Sequence, residues 1–246
     1  MDCLACGLTS SPASREHVFS DWLLREFDPE ISMALYRRYG DGSREQTRVE
    51  IRLGSFTLKS VCESCNNGWM SRLESAANPL ILGLIRGGRE LNGLSEEERR
   101  ILARWAGKTA IIESHSVGAE CPIDGRYLKG IRASEEFPGR FAAAACRAPF
   151  LGFGHMQVGI VMDLLGGGKV AANIVMIALP KLVFACAFPM LETPYECRCV
   201  KSLYTPLWPT LRAWYPMNQS AMPSDLDEFE SLAAMAERIE LFHSLK

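Results

Sequence analysis

Polar and apolar residues alternate through Arg48-Val49-Glu50-Ile51-Arg52-Leu53 and again through Phe56-Thr57-Leu58-Lys59-Ser60-Val61, on either side of Gly54. A period of two places alternate side chains on opposite faces, so this stretch predicts a β-hairpin or two strands. Helical spacing governs other segments. Asp21 to Phe27 predicts a short amphipathic helix ended by Asp28-Pro29. Asn66 to Ala76 predicts a helix whose buried stripe is Trp69, Met70 and Leu73, and Leu80 to Ile85 adds apolar helical turns closed by Gly87-Gly88. Ser95 with Glu98 three residues on, and acidic charge between them, marks the start of a helix expected to run through Leu102, Trp105, Lys108 and Ile111 to Ser114.

Residues 115–140 carry turn signals and predict a loop. Met156 to Met162, Val170 to Leu179 and Leu182 to Phe188 are apolar and β-branched, and predict three strands separated by Gly166-Gly167-Gly168 and Pro180-Lys181. An aromatic and proline-rich segment follows, with Pro206, Trp208, Pro209, Trp214, Tyr215 and Pro216, and then an acidic helix is expected over 224–245. The pattern predicts an α+β protein in three parts: a cysteine-flanked unit at 1–76, a helical connecting region at 77–150, and a sheet-rich α+β region at 151–246 whose role the sequence leaves open.

The 246 residues suffice to bury a sizeable core, and 48% hydrophobic with 23% charged residues matches a globular protein. No apolar run reaches the roughly 18 residues that a membrane helix needs, because Asp163, the glycines and Lys169 interrupt the best candidate. A net charge of -2 excludes global basicity as a route to nucleic acid, so any such contact must use a local patch. The N-terminal residues show no basic stretch followed by an apolar one, which predicts a cytoplasmic protein with reduced thiols.

Nine cysteines are therefore expected to act as ligands or core residues and not as a disulfide framework. Cys3/Cys6 and Cys62/Cys65 form two Cys-x-x-Cys pairs, which together can give four thiolates to one tetrahedral structural Zn²⁺. The long stretch between the pairs must then fold back on itself. Cys146 and Cys186 are expected in the core, and burial is also the expectation for Cys197 and Cys199.

Cys3-Leu4-Ala5-Cys6, Ser14-Arg15-Glu16-His17-Val18-Phe19 and Val61-Cys62-Glu63-Ser64-Cys65-Asn66-Asn67-Gly68-Trp69 together resemble the zinc-containing HNH endonucleases. The resemblance covers about the first third of the chain and implies the ββα-metal fold shared with the endonuclease VII group. It implies a hydrolase acting on phosphodiester bonds in nucleic acid, with DNA the expected substrate. His17 matches the general base, and an imidazole is suited to taking a proton from water near neutral pH. Glu16 matches the acidic ligand of a catalytic divalent ion, at a position more often Asp, and Asn66 matches a second ligand. Their oxygens suit Mg²⁺ or Mn²⁺. Trp105-Ala106-Gly107-Lys108-Thr109-Ala110 and Leu207-Trp208-Pro209 resemble extensions found in bacterial and phage HNH proteins.

One departure stands out. The family's middle Asn, which orients the base, has no counterpart in Phe56-Thr57-Leu58-Lys59-Ser60-Val61. Ser60, a backbone carbonyl or Asn67 are the candidates to replace it. This departure keeps a second reading in play: a catalytically degenerate HNH-fold zinc protein that serves as a nucleic-acid or protein interaction module. Glu74 is expected as a surface charge on its helix. Arg15, Arg37, Arg38 and Arg72 are phosphate contacts or solvated surface in equal measure. His115, His155 and His243 are expected to be structural.

Overall fold

The computed structural model describes residues 2–9, 12–28, 30–38, 47–115, 122–133, 141–147, 152–163, 169–189, 196–200, 205–208 and 240–244. Its elements, in chain order, are β1 (Glu16–His17), α1 (Asp21–Glu26), β2 (Ser32–Arg38), β3 (Thr47–Arg52), β4 (Thr57–Leu58), α2 (Glu63–Cys65), α3 (Ser71–Ile85), α4 (Glu96–Ser114), α5 (Gly125–Ala133), β5 (Ala142–Arg147), β6 (Gly154–Asp163), β7 (Lys169–Leu179), β8 (Leu182–Pro189), β9 (Glu196–Val200), β10 (Thr205–Trp208) and β11 (Glu240–Ser244). Helices and mainly antiparallel sheets make the fold α+β.

The central sheet has seven strands in the order β10-β5-β8-β7-β6-β2-β3. Among the described strands only β2 and β6 run parallel, with Leu35 opposite His155. Strands come from all three parts of the chain, so the sheet joins the cysteine-flanked N-terminal region to the rest. α4 lies over β10, β5, β8 and β7, and α3 and α5 pack on α4. Trp105 of α4 is fully buried between Trp22 and Phe184, with ring centroids 6.5 and 5.3 Å away. Gly107 on the same helix allows the close approach of α5 and β5: an added Cβ would stand 2.8 Å from both Ile131 Cδ1 and Phe141 Cζ.

The predicted strands at 156–162, 170–179 and 182–188 appear as β6, β7 and β8, which form consecutive antiparallel ladders. The Ser95 capping box is complete, because the Ser95 hydroxyl accepts from the Glu98 N–H and the Glu98 carboxylate accepts from the Ser95 N–H. Cys146 and Cys186 are buried, as expected.

Of the two forms expected for the alternating runs, the structure has two strands and not a hairpin: β3 joins β2, and β4 joins β1, because the turn Leu53–Ser55 redirects the chain between them. Three other expectations need correction. The helix after the second cysteine pair runs from Glu63 past Ala76 to Ile85, kinked at Gly68 and continuing through Pro79. The loop at 115–140 contains α5, entered through Asp124, whose carboxylate accepts from the Arg126 N–H. The end of the acidic segment at 224–245 is strand β11, in register with β9, and not helix. The rest of that segment, and Trp214, Tyr215 and Cys121, lie outside the described residues. Among the described residues no helix is long and apolar enough to cross a membrane.

Candidate metal centre and the adjoining cavity

Both Cys-x-x-Cys pairs converge. The four Sγ atoms of Cys3, Cys6, Cys62 and Cys65 lie within 4.8 Å of one another, and Cys6 and Cys62 are 3.9 Å apart. Tetrahedral zinc with sulfur ligands at about 2.3 Å has sulfur–sulfur edges of about 3.8 Å, so this donor set and spacing can hold a metal ion such as zinc. Backbone contacts hold the two pairs together. The Leu4 N–H donates to Ser60 O at 3.0 Å, the Ser14 N–H to Val61 O at 2.9 Å, and the Cys62 N–H to Cys3 Sγ at 3.3 Å.

The electrostatics fit a cation. Against the burial that would raise it, backbone N–H groups of Cys62, Cys6 and Ala5 bring the Cys3 thiol down to about 7. Burial and the neighbouring thiols push Cys65 up to about 12. Four adjacent thiols cannot all ionise alone, whereas a bound divalent ion makes the thiolate form the stable one.

Beside this cluster, β1 and β4 form an antiparallel pair with His17 opposite Thr57, and the helix that starts after Cys62 follows directly. The sequence-predicted residues Glu16, His17 and Asn66 all line one cavity of about 380 Å³, together with Arg15, Arg25 and Glu74. The Asn66 side-chain amide donates to Ser14 Oγ at 2.7 Å, which fixes the side chain and leaves its oxygen for another partner. His17 Nδ1 is buried without a hydrogen-bond partner. Of the groups expected to orient His17, neither Ser60 nor a backbone carbonyl bonds its Nδ1, and the Ser60 hydroxyl is itself buried and unpartnered. Asn67 lines the same cavity. Arg72 is exposed, and the side chains of Arg37 and Arg38 lie outside the described residues.

Glu16 is 5% exposed and sits in a buried charge network. Lys108 Nζ is 2.5 Å from Glu74 Oε1 and 3.7 Å from Glu16 Oε1. Glu74 Oε2 accepts from both indoles, Trp22 Nε1 at 2.9 Å and Trp105 Nε1 at 2.8 Å. Burial pushes the Glu16 carboxyl up to about 7 against the pull of the Lys108 ammonium, and the Glu74 carboxylate adds to the rise. Burial would raise Glu74 as well, but the Lys108 charge and the hydrogen bonds outweigh it and hold Glu74 below the usual carboxylate range. For Lys108, burial pulls downward and the two carboxylates more than reverse it.

The expectation of Glu74 as a surface charge is thus overturned. Its position was signalled by spacing: Asn66, Met70, Glu74 and Asn78 recur every four residues and all line the cavity. Lys108 had a signal too, as the one cation among Leu102, Trp105 and Ile111 on a buried helix face. His115 Nε2 pairs with Ile123 O at 2.9 Å, and His155 pairs with Glu113 inside the core, which makes both structural as expected. The side chain of His243, on β11, lies outside the described residues.

Glu74→Leu is expected to lower the unfolding free energy by about 3–5 kcal/mol, because it strands a buried ammonium and two indole N–H groups. Glu74→Gln should cost less, since its amide oxygen still accepts from the indoles. Urea denaturation checks both; equal stability of Glu74→Leu and wild type would contradict the network's role.

No family model matches the chain, and neither a curated protein nor a solved structure matches it.

Proposed function

We propose that the chain is a metal-dependent endonuclease of the HNH type, with a structural zinc at Cys3, Cys6, Cys62 and Cys65, that hydrolyses phosphodiester bonds in DNA. The observation that carries this reading is the convergence of Glu16, His17 and Asn66 on one cavity beside the four-sulfur cluster. The local order supports it as well: an antiparallel strand pair bearing the acid and the imidazole, then a helix bearing the amide.

His17 acts as the general base that takes a proton from the attacking water. Glu16 and Asn66 are the residues that would hold the second metal, Glu16 through Oε2 and Asn66 through its side-chain oxygen. A Mg²⁺ or Mn²⁺ ion there supplies Lewis-acid polarisation of the phosphodiester and stabilises charge on the leaving oxygen. Arg15 and Arg25, on the cavity wall, supply local positive charge to bind phosphate, which the near-neutral chain lacks overall.

The test is incubation of zinc-loaded protein with supercoiled plasmid. Nicked or linear product is expected only when Mg²⁺ or Mn²⁺ is added, and Asn66→Ala should need more ion for the same rate. Product that forms equally well without added ion would contradict the reading. The second reading, a degenerate scaffold used for nucleic-acid or protein interaction, is favoured by one observation, the unpartnered Nδ1 of His17. It predicts DNA or protein binding with no cleavage under any ion.

A further inference from the structure

Lys108, on α4, stands behind the cavity wall against Glu16 and Glu74, and lies well outside the cysteine-flanked stretch that carries every residue of the proposed catalytic set. Its side chain is 2% exposed, and its nearest partner is Glu74. A lysine present only to complete the core needs one carboxylate. Here a second, Glu16, is buried beside it, with Oε1 turned to the ammonium and Oε2 buried and unpartnered. A buried unpartnered carboxylate oxygen costs free energy and gives no structural return. That cost is recovered if the oxygen is kept for a ligand.

We propose that Lys108 is a positioning residue of the site, which holds Glu16 through Oε1 so that Oε2 is presented to a divalent cation in the cavity. The inference rests on the reading of Glu16 as a ligand and extends the site beyond the first 76 residues. α4, anchored by Trp105 between Trp22 and Phe184, becomes part of the metal-binding apparatus.

The opposite expectation is equally concrete. If Lys108 is an electrostatic bystander, removing its positive charge strengthens the binding of a cation nearby. If it positions Glu16, its removal weakens binding, since partners that orient a metal ligand are worth about 10–100-fold in affinity.

Calorimetric titration of Mn²⁺ into zinc-loaded wild type, Lys108→Met, Glu16→Gln and the double variant separates these cases. Each single substitution is expected to weaken Mn²⁺ binding at least about tenfold. The double variant should bind no more weakly than Glu16→Gln alone, because Lys108 acts through Glu16. Lys108→Arg should recover part of the loss and, should Lys108→Met fail to fold, reads the same coupling. Tighter or unchanged binding by Lys108→Met overturns the proposal, as does an equal further loss in the Glu16→Gln background, which marks a structural role only. In either case the wild type still binds and the ligand reading stands. Absence of Mn²⁺ binding by the wild type overturns both.

Discussion

Replacing Cys62 and Cys65 together by serine is expected to abolish zinc binding and to unfold the region around the cavity. Among the described residues, the polar ties between the stretches that carry the two cysteine pairs include the backbone hydrogen bonds of Leu4, Ser14 and Glu63, the Asn66 amide to Ser14 Oγ, and the Cys62 N–H to Cys3 Sγ, which are modest beside a metal bond. Structural zinc contributes about 10–16 kcal/mol of apparent binding free energy in small modules. That is comparable to the whole stability of a typical domain, about 5–15 kcal/mol. Cys62 also occupies the N-cap position of the helix that leads into Asn66, so a metal bond lost there would release a proposed ligand as well. Elemental analysis should fall from one zinc per chain to none, and the thermal transition should move down or split, with α4 and the central sheet melting separately. An unchanged transition with no zinc bound would contradict a structural role for the cluster.

His17→Ala is expected to slow DNA cleavage by about 10²–10⁴-fold, the range that general acid–base groups contribute, without loss of zinc or of thermal stability. His17 is half-buried and its Nδ1 bonds to nothing, so removing the ring breaks no hydrogen bond there. The effect therefore separates chemistry from folding more cleanly than a change at Glu16, which is tied to Lys108. The missing orienting group has its own consequence. Strand pairing to Thr57 and packing alone hold the imidazole, and a base held loosely loses rate steeply with small displacements. Single-turnover cleavage of a labelled duplex, with wild type and variant at equal zinc content, measures the difference. Equal rates would remove His17 from the mechanism.

How far these features were legible in the sequence depends on how local their causes are. The start of α4 is written in Ser95 and Glu98, which complete each other's hydrogen bonds within one turn. β6 to β8 are written in their apolar runs. Pairing is not local: alternation marked 48–53 and 56–61 as strands, but their partners, β2 and β1, lie earlier in the chain and no turn residue names them. β5 was missed because four consecutive alanines favour helix, and only the ladders to β8 and β10 make them a strand. At α5, Asp124-Gly125 read as a turn when the aspartate opens a helix.

The site divides the same way. Glu16, His17 and Asn66 stand in a spacing that a metal motif constrains, and they meet at one cavity. Glu74 and Lys108 carry only a helical spacing signal, and their partners come from β1, α1, α3 and α4, with Glu16 and Lys108 distant in sequence. A carboxylate on a helix is usually solvated, and the packing of Trp22 and Trp105 against Glu74 is what takes it out of solvent.

The most direct measurement is anomalous X-ray scattering at the zinc and manganese edges from crystals soaked in Mn²⁺. The account predicts two separate peaks in each molecule, zinc at the centre of Cys3, Cys6, Cys62 and Cys65, and manganese in the cavity against Glu16 Oε2 and the side-chain oxygen of Asn66. A zinc peak with no manganese in that cavity, or manganese bound elsewhere, would contradict it.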